Sequence, residues 1–209
     1  AFFKGSLDEA RIYNRALSAD EVAGLYRQSV ETKLDVSQDT RLTNGLVGLW
    51  SFDGPDVSGT TAYDMSGSGN NGTLRNGSIV AVGKIGQALS LDGGTQDVDL
   101  PTLPSLVAPY SVSVWMKPTV LTSGSLVSLR GVNGYPMFKL NSNYKLLAYA
   151  GLEKYRYGTK VFSASDLNQW WHVVFVVADS SSLASWKVYL NGVDDTGTAG
   201  NNSGTYYEP

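Results

Sequence analysis

Five Asn-Gly pairs punctuate the chain, at Asn44-Gly45, Asn71-Gly72, Asn76-Gly77, Asn133-Gly134 and Asn191-Gly192. Both residues tolerate positive φ, so each pair favours a tight chain reversal. The segments between them are short and rich in β-branched and aromatic residues. Leu46-Val47-Gly48-Leu49-Trp50-Ser51-Phe52 is one such run. Tyr110-Ser111-Val112-Ser113-Val114-Trp115-Met116 alternates, with Val112 and Val114 opposite Ser111, Ser113 and Trp115. Trp170-Trp171-His172-Val173-Val174-Phe175-Val176-Val177 is almost continuously apolar and reads as a central strand. Trp186-Lys187-Val188-Tyr189-Leu190 alternates and runs into the last Asn-Gly turn. Short strands at regular spacing between turn signals predict an all-β sandwich or barrel. With 42% apolar residues the chain has enough material for a full core.

One segment departs from this rhythm. Ser18-Ala19-Asp20-Glu21 is a capping box, with Val22, Leu25 and Tyr26 following at helical spacing. A short helix is predicted near 19–28, too short to stand without packing on something. Residues 29–44 are polar with sparse apolar positions and read as a linker, which would span roughly 50 Å if fully extended.

Charge narrows the function. Only 17% of residues are Asp, Glu, Lys or Arg, and the formal net charge is −3. Nucleic acid is a poor partner and anionic membrane surfaces are disfavoured, because both demand clustered cations. With no cysteine, disulfides and thiolate metal sites are excluded. No apolar run is long enough to insert in a membrane. The first residue is Ala1 rather than Met, so a cropped or processed chain is expected, with its targeting information missing.

Several stretches, taken in order, carry a resemblance. Leu46 to Asp53 is similar to an opening strand. Asp64-Met65-Ser66-Gly67-Ser68-Gly69-Asn70-Asn71-Gly72-Thr73 is similar to a "D-x-S-G-x-G-N-x-G-T" loop. Gly83 to Gly93, Ser111 to Pro118, Trp171 to Val174 and Val188 to Gly192 follow as successive strands. Together they resemble bacterial laminin-G-like, concanavalin A-like lectin/glucanase domains. The resemblance implies a two-sheet antiparallel jelly-roll sandwich with an extracellular role, in a superfamily that includes glycoside hydrolases as well as lectins.

The front of the chain departs from the family's order. Phe3 to Ser18, with the helix after it, resembles the family's closing strand and helix, yet here it precedes the first strand. Residues 1–28 are therefore expected to finish an upstream copy, to close the same domain as a permutant, or to insert into a neighbouring subunit. Residues 45–209 are expected to form the sandwich without its final strands. An orphan strand and helix cannot bury its apolar face alone, so some groove must receive it.

Candidate sites follow. Glycosidases need two flanking carboxylates, and no strand here carries the usual alternating acidic run; Asp97 and Asp99 alternate without a third. His172, the single histidine, lies in the central strand and reads as structural rather than as part of a Ser-His-Asp triad. Asp53, Asp64 and Asn70 supply hard oxygen ligands near the first strand, which suits a structural Ca²⁺; Asp64 and Asn70 equally suit Asx turns that cap backbone amides. Tyr149, Tyr155, Arg156 and Tyr157, with Tyr144 nearby, are the candidate ligand-binding cluster. Aromatic faces stack on sugar C–H faces while polar groups bond hydroxyls, although Tyr is also simply a good strand former. Trp50, Trp115, Trp171 and Trp186 read as core.

The expected function is a lectin-like binding or adhesion module of a larger multidomain protein on a bacterial cell surface. Its partner would be a glycan or another surface component, with neighbouring copies reached through residues 1–28. The alternative is a structural repeat or filament subunit assembled by strand exchange of residues 1–28.

Overall fold

The computed structural model describes residues 2–28, 42–76, 79–103, 108–129, 136–150 and 154–201. The strands, in chain order, are β1 (Lys4–Tyr13), β2 (Leu46–Trp50), β3 (Val57–Ser58), β4 (Thr61–Ala62), β5 (Gly72–Arg75), β6 (Ile79–Val82), β7 (Gln87–Asp92), β8 (Asp97–Asp99), β9 (Tyr110–Pro118), β10 (Gly124–Ser128), β11 (Met137–Leu140), β12 (Lys145–Ala150), β13 (Lys154–Val161), β14 (Trp171–Val177), β15 (Trp186–Leu190), β16 (Val193–Asp194) and β17 (Thr196–Asn201). The helix α1 (Ala19–Gln28) follows β1. No helix among the described residues is long and apolar enough to cross a membrane.

The described strands form three antiparallel sheets. The largest runs β16-β15-β14-β9-β1-β7-β6, with β2 paired to β1 beside β7. The second runs β10-β11-β12-β13-β17, and a small one runs β3-β4-β5-β8. Phe3, Leu7, Ile12, Val112, Val114, Val173 and Phe175 from the large sheet meet Leu126, Phe138, Leu140, Leu146 and Ala148 from the second in one core. This is the antiparallel sandwich that the family resemblance implies, one of the two architectures that the turn spacing allows.

The near-continuous apolar run of β14 has a direct cause. Val173, Phe175 and Val177 face the inter-sheet core. Val174 and Val176 face the other way, into a second core with Tyr13, Leu17, Val22, Leu25 and Tyr189. That second core is the underside of α1. Its capping box forms, with Glu21 N–H donating to Ser18 Oγ at 3.3 Å and Ser18 N–H to Glu21 Oε2 at 2.8 Å. Arg15 adds an ion pair to Glu21 at 2.7 Å. Trp115 also lies on this covered face rather than between the sheets, stacked on Tyr26 with ring centroids 5.7 Å apart. The stretch expected as a linker is shorter at its far end, because Leu42 is buried in the second core.

Residues 2–28 pack on the chain's own sheet. Lys4 to Leu7 pair with β7 and Ala10 to Tyr13 with β2, while the opposite edge pairs with β9 throughout, apart from a bulge between Asp8 and Arg11. At the bulge Glu9 takes a φ of 50° and is tied to Arg11 at 2.6 Å. Asp8 is fully buried. Its Oδ2 accepts the amide hydrogens of Lys84 and Ile85 at 2.7 and 2.9 Å.

Burial pushes the Asp8 carboxyl up to about 7 from an ordinary 3.8, with Glu9 adding repulsion and the amides of Ile85 and Lys84 opposing. Between those values the folded chain holds a proton that the unfolded chain releases. The stability that Asp8 contributes is therefore full below about pH 4 and is lost as pH rises through about 7. Asp8→Asn keeps an oxygen for the two amides and cannot ionise. Denaturant unfolding of both proteins at pH 5 and pH 8 should show the variant losing less stability than the parent on going to pH 8. Equal losses would refute the assignment.

Candidate functional site

The outer face of the second sheet carries the most distinctive side chains left outside both cores. In β12 Leu146 and Ala148 are buried inward, so Lys145, Leu147 and Tyr149 point outward by the two-residue period of a strand. Tyr149 pairs directly with Tyr155 on β13, and Leu147 with Tyr157. The Tyr155 and Tyr157 rings meet edge to face, with centroids 5.1 Å apart. On the other side Met137 pairs with Tyr149 and Lys139 with Leu147. Three half-buried tyrosines, one methionine, one leucine and one lysine thus share a surface.

The neighbouring edge strand completes it. Tyr155 lies opposite Gly200 of β17. A Cβ at Gly200 would sit 2.2 Å from the Tyr155 hydroxyl, so only glycine lets the ring lie over that strand. Glycine opposite an aromatic is a recurrent way of covering a bare strand position.

Arg156 is not part of this surface, contrary to its grouping with the tyrosines in the sequence. It pairs with the inward-facing Ala148, so alternation turns it to the opposite side of the sheet. There its guanidinium donates to Gly197 O at 3.0 Å and to Leu183 O. It ties the second sheet to the loop before β15 and has little left for a ligand. Tyr144 sits in the β11–β12 turn with a φ of 57°, away from the tyrosine row.

The oxygen-rich residues near β2 divide into two places. Asp64 and Asn70 come together in one loop. Asp64 Oδ1 accepts from Leu49 and Ser66 amides, and Oδ2 from the Asn70 amide, all at 2.9 Å. Asn70 Nδ2 donates to Val47 O at 2.7 Å. Burial opposes ionisation of Asp64, but these amides outweigh it and hold its carboxyl below the ordinary range. Asp53 stands apart on another turn, where its Oδ1 accepts the Gln87 amide at 2.6 Å. Gly86 allows that approach, with a φ of 59° and a missing Cβ that would lie 2.1 Å from the same oxygen. Among the described residues no group of three His, Cys, Asp or Glu side chains is placed to hold a metal ion. A Ca²⁺ at Asp64 would have to take oxygens that now accept backbone N–H groups.

The groups that catalysis would need are differently engaged. His172 is buried, with Nε2 2.9 Å from Ser113 Oγ and its ring against Trp115 and Tyr26. Burial, with Arg11 adding to it, pushes its pKa down to about 3, too low for a general base near neutral pH. Asp97 and Asp99 both face Arg75. They also border a cavity of about 180 Å³ inside the sandwich, whose other walls include Phe3, Leu7, Trp50 and Leu89.

A family model described as the concanavalin A-like lectin/glucanases superfamily matches residues 92–207, more than half of the chain. The chain belongs to this family. The match includes the whole tyrosine surface and both strands that flank it. No curated protein and no solved structure matches the chain. Concanavalin A-like domains by name include both lectins and glucanases, so the family supports a carbohydrate-directed module.

Met137, Leu147 and Lys139 were not among the expected site residues. Met137 and Lys139 lie on β11, and only inter-strand register brings them to Tyr149 and Leu147, whereas Leu147 shares β12 with Tyr149 and reaches Tyr157 by register. The alternation of Met137-Phe138-Lys139-Leu140 against Lys145-Leu146-Leu147-Ala148-Tyr149 was the available signal.

Asp64 provides a direct test of its role. Asp64→Ala removes the partners of three backbone amides, and each unsatisfied, partly buried donor costs about 1–3 kcal/mol. Denaturant unfolding in the presence of a calcium chelator should show a loss of at least about 1 kcal/mol. An unchanged midpoint in chelator would refute the loop-holding role.

Proposed function

We propose that this chain is a non-catalytic, lectin-like module that binds a neutral glycan across the outer face of the second sheet. The observation that carries the reading is the row Tyr149, Tyr155 and Tyr157, aligned by direct register on one solvent-facing surface. Aromatic faces stack on the C–H faces of pyranose rings, and phenolic hydroxyls bond the rim. Lys139 is the one charged side chain in the group of six, so the other five offer stacking, apolar contact and neutral hydrogen bonds to a sugar. Family membership supports the carbohydrate class.

The same reading places the module outside the cell, on a bacterial surface and within a larger multidomain protein. The low charge of the chain agrees with capture by stacking and hydrogen bonding rather than by field. Ca²⁺ is not required by this reading, because the oxygens of Asp64 already serve backbone amides.

Glycan-array binding of the intact chain tests the proposal. Tyr155→Ala and Tyr157→Ala should each weaken binding to any captured glycan by about fivefold or more, in line with about 1 kcal/mol for a contact aromatic. Their unfolding midpoints should stay near the parent's, since both rings lie outside the core. Absence of binding to every arrayed glycan would sink the reading, and so would binding indifferent to both substitutions.

A further inference from the structure

We infer that the slot between β7 and β9 accepts residues 2–28 of a second copy of this chain, so that two copies exchange their first strand and helix. The inference rests on topology and is independent of the tyrosine surface.

β1 is an inner strand on which the large sheet depends. β7 and β6 join β9, β14, β15 and β16 only through it, and β2 pairs with nothing else in that sheet. Without β1 the sheet divides into two parts with unpaired edges facing each other, and open edges capture strands. The slot also reads the segment that enters it. Its floor takes Phe3, Leu7 and Ile12, and its outer side takes Leu17, Val22 and Leu25. The backbone amides of Lys84 and Ile85 take the Asp8 carboxyl. Ser111 Oγ accepts the Leu17 amide at 3.0 Å and donates to Arg15 O at 2.9 Å.

Every one of these contacts joins residues 2–28 to residues beyond 41. Contacts of this kind can form within one chain or between two copies alike. Residues 29–41 link the two parts. The far end of that link returns close to the helix, with the Leu42 side chain 3.8 Å from the Cβ position of Gly24. Thirteen residues reach about 45 Å when extended, far more than this return needs. The connector therefore has the length to deliver the segment to an adjacent molecule. A tether of this kind supplies an effective concentration on the order of 1 mM, so self-closure dominates in dilute solution and exchange rises as copies are crowded. A second copy of this chain brings this same apolar pattern, bulge and carboxyl.

A cysteine pair tests this without disturbing either core. Ser6 and Ser90 face each other across β1 and β7, and the chain contains no cysteine of its own. The full chain carrying Ser6→Cys and Ser90→Cys is prepared in ¹⁴N and ¹⁵N forms. The two are mixed under reducing conditions from micromolar to millimolar concentration, then oxidised and digested for mass spectrometry. Exchange predicts mixed-isotope 6–90 crosslinks whose share rises with concentration toward half of all 6–90 crosslinks. A second pair, Lys4→Cys with Asp92→Cys, should give the same curve, since it is in the same register. Oxidation before mixing should abolish the mixed crosslinks. Single-isotope crosslinks alone at every concentration would overturn the inference. Mixed crosslinks from the first pair but not from the second would also overturn it, since they would report collision and not a seated strand. Glycan binding by the pre-oxidised monomer separates this outcome from the fate of the tyrosine surface.

Discussion

The seating of β1 between β7 and β9 is the interaction on which the rest of the molecule depends. It closes the large sheet, supplies Phe3, Leu7 and Ile12 to the inter-sheet core, and carries α1 over the sheet's outer face. A sheet with both faces covered needs apolar residues on both sides of its central strands, and β14 meets that need with its unbroken run. The sequence anomaly at the front of the chain and the architecture of the sheet are thus one feature: a segment met first along the chain is an inner strand of the fold.

A second device recurs in the loops. Asp8, Asp53 and Asp64 each aim a carboxylate at backbone amides of a turn: Asp8 at 84–85, Asp53 at 87, and Asp64 at 49, 66 and 70. Gly-rich turns leave amides without partners, and an acidic oxygen satisfies two at once. The environments then differ. Asp64 is rich in donors and stays a ready anion, whereas Asp8 pays for deep burial beside Glu9 and holds its proton to near neutrality. The oxygens of Asp53 and Asp64 thus tie backbone amides of their loops, as an Asx turn also does.

The candidate surface was partly legible in advance. Tyr155 and Tyr157 are two apart, so any strand places them on one face. The same rule sends Arg156 to the other side, and the guanidinium is accordingly spent on Gly197 and Leu183 carbonyls. Tyr149 joins the row because β12 and β13 pair in the register that sets it against Tyr155. Met137 and Lys139 join through the register of β11 against β12, while Leu147 shares Tyr149's face by the two-residue period. Register is a property of two strands, and no local pattern in either one specifies it.

The sequence by itself determined the local elements: tight turns at Asn44-Gly45 and Asn191-Gly192, a helix started by Ser18 and Glu21, and the alternation that splits strands such as β12 into an inner and an outer face, whereas Asn71-Gly72 leads straight into β5 and the pairs at 76–77 and 133–134 fall wholly or partly outside the described residues. These depend on backbone preference and on period, which act over a few residues. Tertiary structure decided which strands become neighbours. It put β1 in the centre of the large sheet, laid α1 over Trp115 and His172, and assembled the tyrosine surface from three strands and a glycine. Those outcomes depend on which apolar faces find each other across long stretches of chain. Burial rewards such pairings collectively, and no single segment encodes them alone.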